Sequence, residues 1–323
     1  MEGQRTRNKE ERKKRLRFKE ENEENRRRSI NTSAQKEQEK KSTARNVKLG
    51  THQPKCQGKH DIVDVDGQKF DILKKLGGGN ISSTYEVLGK NKKLYVLKMM
   101  KLKVEKSVLK EVNLLTKFAI EPKVVRLEVH EVRLTRNGVM MLLLMEHGDC
   151  SIRDIFLQPK NISISSLLFY WESILKCVRV LHSKNIIHLD IKPSNFILIQ
   201  GTVKLTDLTS AELLPARSNS MLIKYPKGTA GFTGPECSNH FKDKMYRYSL
   251  KTDVFALGVI LHALIFKTVT AQSDNMGLFT FLRKAVKNAV GENQFHRPSV
   301  EQLLTDLGTL AVIPSPKKRS LLK

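Results

Sequence analysis

The sequence predicts an α+β fold, β-rich in its earlier part and mostly helical in its later part. Three observations carry this. Before residue 146 the apolar residues fall in short β-prone runs, Phe70–Leu76, Tyr95–Lys98 and Val139–Met145. After it they recur at helical spacing across Ser165–Ser183, where Leu168, Trp171, Ile174, Leu175, Val178 and Leu181 share one face, and again in the apolar run Val254–Phe266. Between these helical stretches stands the polar run His188-Leu189-Asp190-Ile191-Lys192-Pro193-Ser194-Asn195, with Asp207 twelve positions beyond it. A chain of 323 residues suits one such domain with tails.

The elements follow in order. The strand-like Phe70–Leu76 leads into Gly77-Gly78-Gly79-Asn80-Ile81-Ser82-Ser83-Thr84-Tyr85. Glycines let a backbone approach phosphates with no side chain in the way, although a Gly run alone is equally a flexible turn. Tyr95-Val96-Leu97-Lys98 is a strand ending in lysine, and Lys110-Glu111-Val112-Asn113-Leu114-Leu115 has the spacing of an amphipathic helix. Glu111 is the favoured partner for Lys98, with Glu105 a nearby alternative. Val139–Met145 is too short to span a bilayer, which needs roughly 20 residues. It reads as a buried strand entering the polar hinge Glu146-His147-Gly148-Asp149. Asn195-Phe196-Ile197-Leu198-Ile199, the turn Gln200-Gly201 and the alternating Thr202–Thr206 predict a hairpin that delivers Asn195 and Asp207 to one edge.

In this order the motifs resemble those of a protein kinase, over about Gln68 to Ala311. The resemblance implies the bilobal protein-kinase fold within 68–312, with an N-lobe over 68–144, a hinge at 145–149 and a C-lobe over 150–311. It implies ATP and Mg2+ as cofactors and a role for each polar residue. Asp190 accepts or orients the proton of the attacking hydroxyl, and Lys192 neutralises the transferring phosphoryl group. Asn195 and Asp207 hold magnesium. Leu76, Gly77, Gly79 and Ser82 cover the nucleotide, and Lys98 with Glu111 orders its phosphates. Met145 guards the back of the adenine pocket, and the backbone of Glu146 and His147 hydrogen-bonds the base. Lys227 to Glu236 resembles the end of an activation segment, with Gly234-Pro235-Glu236 standing for Ala-Pro-Glu and Arg297 placed to pair with Glu236. Thr229 contacts Asp190 and Lys192, which favours serine/threonine specificity. Ser218 and Ser220 are candidate phosphorylation sites in that segment, with Lys224 and Lys227 as sources of local charge. Asp253 ties down the catalytic loop. A complete activation segment builds a peptide-docking surface, so a small-molecule kinase is disfavoured.

Within the kinases the chain looks most like the monopolar-spindle dual-specificity family of spindle-checkpoint kinases. The shared features are serine at the third loop glycine (Ser82), Met145-Glu146-His147-Gly148, His188-x-Asp190 without arginine, and Pro193-Ser194-Asn195-Phe196-Ile197-Leu198. The resemblance implies kinetochore or spindle-pole substrates, autophosphorylation, and a nuclear or cytoplasmic location that includes the kinetochore or spindle pole. Two departures matter. The usual Asp-Phe-Gly is Asp207-Leu208-Thr209, which keeps an apolar anchor and loses glycine's freedom. A threonine stands at this slot in haspin-type histone kinases too. Leu189 replaces the arginine that normally docks an activation-loop phosphate. The rival reading is a catalytically weak pseudokinase acting as a scaffold.

Composition bounds the rest. The net charge of +25 comes from 58 Lys and Arg against 33 Asp and Glu. Residues 1–60 are charged and poor in large apolar residues, which predicts a disordered basic arm, and 313–323 forms a basic tail. Lys13-Lys14-Arg15-Leu16-Arg17, Arg26-Arg27-Arg28 and Pro316-Lys317-Lys318-Arg319 read as nuclear-import patches or as solvated charge. No aromatic-rich module accompanies them, which argues against nucleic acid. Four scattered cysteines, Cys56, Cys150, Cys177 and Cys237, form neither metal spacing nor a disulfide framework, which suits a reducing compartment. Nothing resembles a signal peptide or membrane span.

Overall fold

The computed structural model describes residues 61–79, 82–102, 105–135, 138–238, 245–268 and 275–310. The basic arm at 1–60, the tail at 313–323, Cys56, Asn80 and Ile81 lie outside the described residues.

The small lobe is one antiparallel sheet in the order β1-β2-β3-β4-β6-β5. Its strands are β1 (Ile62–Val65), β2 (Gln68–Gly78), β3 (Ser82–Gly89), β4 (Leu94–Leu102), β5 (Leu127–Thr135) and β6 (Gly138–Glu146). The lobe therefore starts at Ile62 rather than Gln68. The extra strand β1 alternates exposed and buried residues, with Val65 fully buried. It turns into β2 through Asp66-Gly67, both at positive φ (51° and 75°), the geometry of a tight two-residue hairpin turn.

Period-two alternation divides the sheet's side chains between two cores. Val65, Phe70, Val87, Tyr95, Leu97, Leu142 and Leu144 close the outer face. Met100, Met141 and Leu143 point the other way and join Val112 and Leu115 of helix α1 (Glu105–Lys117). The same register puts Lys98 opposite Thr84 on β3 and Leu143 on β6, on the inner side of the sheet.

After the short β7 (Cys150–Ser151) and α2 (Ile152–Leu157), the large lobe is built on α3 (Ile164–His182). Trp171, Ile174, Leu175, Val178 and Leu181 are buried there together with Leu167, while Leu168 is only half-buried. The pair β8 (Ile186–Ile187) and β11 (Glu212–Leu213) and the hairpin β9 (Phe196–Ile199) and β10 (Thr202–Leu205) rest on α3. The segment 221–223 forms β12, which pairs with β13 (Tyr246–Tyr248). Three more helices complete the lobe: α4 (Leu250–Lys267), α5 (Met276–Ala289) and α6 (Val300–Leu310). Helix α4 is the apolar run read from sequence. It starts at a Ser249/Thr252 capping box and is buried along most of its length. No helix among the described residues is long and apolar enough to cross a membrane.

One ion pair fastens the far end of this lobe. Arg297, 2% exposed, donates from Nη1 and Nη2 to the two Glu236 carboxylate oxygens at 2.7 and 2.8 Å. Its Nε donates to Gly291 O at 2.8 Å, and its guanidinium lies 5.1 Å from the Phe255 ring centroid. Removing one partner leaves a buried charge uncompensated. Arg297→Met is therefore expected to lower stability by about 3–5 kcal/mol in denaturant melts. Adding Glu236→Gln should recover part of the loss.

Candidate active site

The cleft between the lobes is assembled from two polar clusters. The first centres on Lys98, whose exposure is 7%. Its ammonium uses all three protons: to Glu111 Oε1 at 2.9 Å, to Asp207 Oδ1 at 2.8 Å and to Thr209 Oγ1 at 2.7 Å. Burial pulls this amine's pKa down, but the two carboxylates outweigh burial and raise it. At Asp207 burial pushes upward, and the attraction of Lys98, backed by hydrogen bonds from Lys98 and Thr209, holds the carboxyl well below the usual range. Asp207 sits at φ 60°, a left-handed conformation that aspartate tolerates better than bulkier residues. The next residue, Leu208, is fully buried in the main core, which fixes the turn.

The second cluster surrounds Asp190. Lys192 Nζ donates to Asp190 Oδ2 at 2.6 Å and to Thr229 Oγ1 at 3.0 Å, and Thr229 Oγ1 lies 2.5 Å from Asp190 Oδ1. Asn195 Nδ2 donates to the Asp190 carbonyl at 2.9 Å. The hairpin brings Asn195 beside Asp207, because Thr206 N donates to Asn195 O at 2.9 Å. Asp253, 1% exposed, clamps the loop from below. Its Oδ2 accepts from His188 N (2.8 Å) and bonds His182 Nε2 (2.9 Å), and its Oδ1 accepts from Leu189 N (2.9 Å). This clamp matters because Leu189 sits at φ 65°, a conformation that costs a bulky residue about 1–3 kcal/mol.

The remaining candidate residues divide. Leu76, Gly77 and Gly79 are exposed at the end of β2, and a Cβ at either glycine would meet nothing within 4 Å. The glycine under constraint is Gly78, at φ 146°, where a Cβ would lie 2.6 Å from Ser82 O. Gly79 N donates to Ser82 O at 2.8 Å, closing the turn. Met145, 5% exposed, packs with Val125 and Ile199, and with Val96 and Ile197 beside them. The hinge is tied down at Glu146. The Glu146 amide donates to Arg126 O at 3.1 Å, and the Glu146 carboxylate accepts from Arg126 N and Lys204 Nζ, both at 2.7 Å. That amide is therefore committed to Arg126. The His147 side chain bonds Glu86 Oε1 at 2.8 Å, joining the hinge to β3.

The activation segment is held by local bonds. Ser218 keeps its hydrogen bonds within the loop, to Ser220 O (2.6 Å) and from Ser220 N (3.4 Å). Lys227, read as a source of local charge, bonds Glu212 Oε1 at 2.7 Å and Ser210 O at 3.1 Å. Leu189 is 5% exposed in an apolar cluster with Ile187, Leu214, Cys237, Tyr246 and Tyr248. Where an arginine would dock a phosphate, this chain buries hydrocarbon. Sequence reading noted the missing arginine but not the cluster, whose members are scattered over sixty residues.

These features define a bilobal kinase. Residues 70–322 match the protein kinase domain family, and the chain belongs to that family. It is similar to the serine/threonine-protein kinase MPS1 of Encephalitozoon cuniculi, with 32% identity over 208 residues, 63% of this chain and 34% of that one. The dual specificity protein kinase TTK of Mus musculus is 26% identical over 274 residues, covering 80% of this chain and 31% of the mouse protein. The MPS1 kinase of Saccharomyces cerevisiae is 23% identical over 279 residues, again 80% of this chain and 36% of the yeast protein. The chain thus spans about a third of the length of these relatives.

Two outcomes follow from the geometry. Lys98→Met is expected to destabilise the fold by about 3–5 kcal/mol, because Glu111 stays buried without its cation. Adding Glu111→Gln should restore part of that in a denaturant double-mutant cycle. Leu189→Arg is expected to cost on the order of 3 kcal/mol, because it buries an unpaired charge. Limited proteolysis over 214–227 should accelerate with it.

Proposed function

We propose that this chain transfers the γ-phosphoryl group of ATP to serine or threonine hydroxyls of proteins, in control of the mitotic spindle checkpoint. The observation that carries the reading is the Asp190–Lys192–Thr229 cluster facing the same cleft as Lys98, Glu111 and Asp207.

The donor set fits a magnesium nucleotide. Asn195 and Asp207 offer two neighbouring oxygen donors, and magnesium is commonly held by one or two carboxylates together with substrate phosphates. The open space at Gly77 and Gly79 admits phosphates close to the backbone, and Lys98 is a buried cation beneath them. Bound MgATP supplies the phosphoryl group and neutralises its charge. The protein supplies position and charge. Asp190, held by Lys192 and Thr229, orients the substrate hydroxyl and takes its proton. Lys192 faces the oxygens of the transferring group. Lys98, kept in place by Glu111, pairs with the inner phosphates. Met145, Val96 and Ile197 form the apolar seat for the base, with the hinge backbone at Glu146 and His147 as its polar edge. Glu236, through Arg297, supports the segment that receives the peptide.

The motifs shared with the monopolar-spindle family support kinetochore or spindle-pole proteins as substrates, autophosphorylation, and a nuclear or cytoplasmic site of action. They also make dual specificity the natural extension. The domain is read as running to about residue 312, with the basic arm and tail as flanking segments. The scaffold reading draws on Thr209 alone, and Asp207 remains turned into the Lys98 cluster with Oδ2 outside it.

Transfer from radiolabelled ATP to a serine/threonine peptide tests the proposal. Asp190→Asn is expected to lose about 10²–10⁴-fold, the usual contribution of a positioned base. A wild type no faster than Asp190→Asn would support the scaffold instead. Loop phosphorylation should matter only partly, because Leu189 sits in an apolar cluster. Phosphatase-treated protein and the Ser218→Ala/Ser220→Ala variant should keep most of their activity, whereas Thr229→Ala should lose most of it.

A further inference from the structure

The Lys98 cluster contains one member that no role above requires. Thr209 stands where this fold ordinarily has glycine, and a glycine there would bring no side chain to the cluster. Its hydroxyl accepts from Lys98 Nζ at 2.7 Å and lies 2.8 Å from Glu111 Oε2 and 2.6 Å from Asp207 Oδ1. It therefore touches the functional group of each of the three. Glu111 accepts from Lys98 at Oε1, and the Thr209 hydroxyl supplies a donor for Oε2 when it turns its proton there, which suits a carboxylate at 2% exposure. Thr209 as a residue is exposed, and its hydroxyl is the part that reaches inward.

The consequence is mechanical. Without this hydroxyl, the polar contact between Glu111 of α1 and the Asp207 segment would run through Lys98. When phosphates draw that lysine away, the link is lost. Here Glu111 on α1 also meets the Asp207 segment through Thr209. The hydroxyl has one proton, which it can give to either carboxylate while accepting from Lys98. If Lys98 swings toward phosphates, a hydrogen bond donated by Thr209 to Glu111 Oε2 still ties α1 to the Asp207 segment, of which Thr209 is itself a part.

We propose that Thr209 is a positioning residue that joins α1 to the Asp207 segment and preassembles Lys98, Glu111 and Asp207 before nucleotide arrives. This rests on the reading of the cleft as a nucleotide site. It accounts for how the chain keeps an assembled cleft with Leu189 in place of a phosphate-docking arginine. The substitution that looks like a defect in the sequence is, on this reading, the device that replaces an external activating contact.

The test compares the full-length wild type with Thr209→Val, which keeps shape and removes the hydroxyl, and Thr209→Ser, which restores it. The first readout is hydrogen–deuterium exchange of the peptide covering 105–117 in the nucleotide-free protein. Thr209→Val should exchange there several-fold faster, and Thr209→Ser should return to the wild-type rate. The second readout is steady-state kinetics. Thr209→Val should raise the KM for ATP about five- to tenfold with a smaller change in kcat, and serine should rescue both. Melting temperatures of the three proteins guard against global unfolding, and Thr209→Ser keeps the test alive if valine fails to fold. Unchanged exchange in Thr209→Val would overturn the proposal. So would serine behaving like valine, which would assign the effect to shape, or faster turnover in Thr209→Val, which would make the hydroxyl a brake. Because exchange is read without turnover, loss of the kinase reading and loss of the Thr209 role are separate results.

Discussion

A buried ammonium must find three acceptors or lose its charge, and Lys98 finds them on two distant parts of the chain. Glu111 comes from α1, Asp207 and Thr209 from the segment after β10, and Lys98 itself from the middle of the small-lobe sheet. Each partner has its own reason to be there. The alternation of β4 turns Lys98 inward, while Val112 and Leu115 press α1 onto the sheet. Leu208, buried in the core, fixes the turn that carries Asp207 and Thr209. The sheet, the helix and the large lobe thus meet at one satisfied charge. Misplacing any of them would leave a charge in the protein interior, at a cost of several kcal/mol.

The catalytic loop is held by a different logic. Asp253, at the buried start of α4, accepts two consecutive backbone amides and a histidine. Those bonds stabilise the left-handed Leu189 and so aim Asp190 into the cleft. Leu189's side chain then serves the activation segment from beneath, packing with Leu214, Tyr246 and Tyr248. The segment is fastened near its start by β11 on β8, in its middle by β12 on β13, and by Lys227 bonding to Glu212. Hydrocarbon and local ion pairing do here what a phosphate would otherwise do.

Much of this was legible in the sequence, and the exceptions have physical causes. Strands and helices with strong period, such as Val139–Met145 and Ser165–Ser183, stand where the pattern put them, as does the hairpin at Gln200-Gly201. The strand at Ile62–Val65 went unread although Asp66-Gly67 is a strong hairpin signal, because it adjoins a charged stretch that masks a short apolar alternation. The spacing around Asp190 brought the cleft's polar residues together correctly, since that chemistry is compressed into adjacent positions. What spacing could not show was partnership between distant residues. The commitment of the Glu146 amide to Arg126, the capture of Lys227 by Glu212, and the Leu189 cluster all join residues far apart or fill space that only the fold creates. Thr209 was visible as a departure from pattern. Its bonding to Glu111, 98 positions away, was not.

The central claim is that the Lys98–Glu111–Asp207 cluster is a working magnesium–nucleotide site in the chain as it stands. Calorimetric titration of a non-hydrolysable ATP analogue into the dephosphorylated full-length protein, with and without Mg2+, addresses it most directly. The account predicts one nucleotide per chain, bound more tightly with Mg2+ than without, with the magnesium dependence removed by Asp207→Asn. Absence of binding, or binding indifferent to both Mg2+ and Asp207, would contradict it.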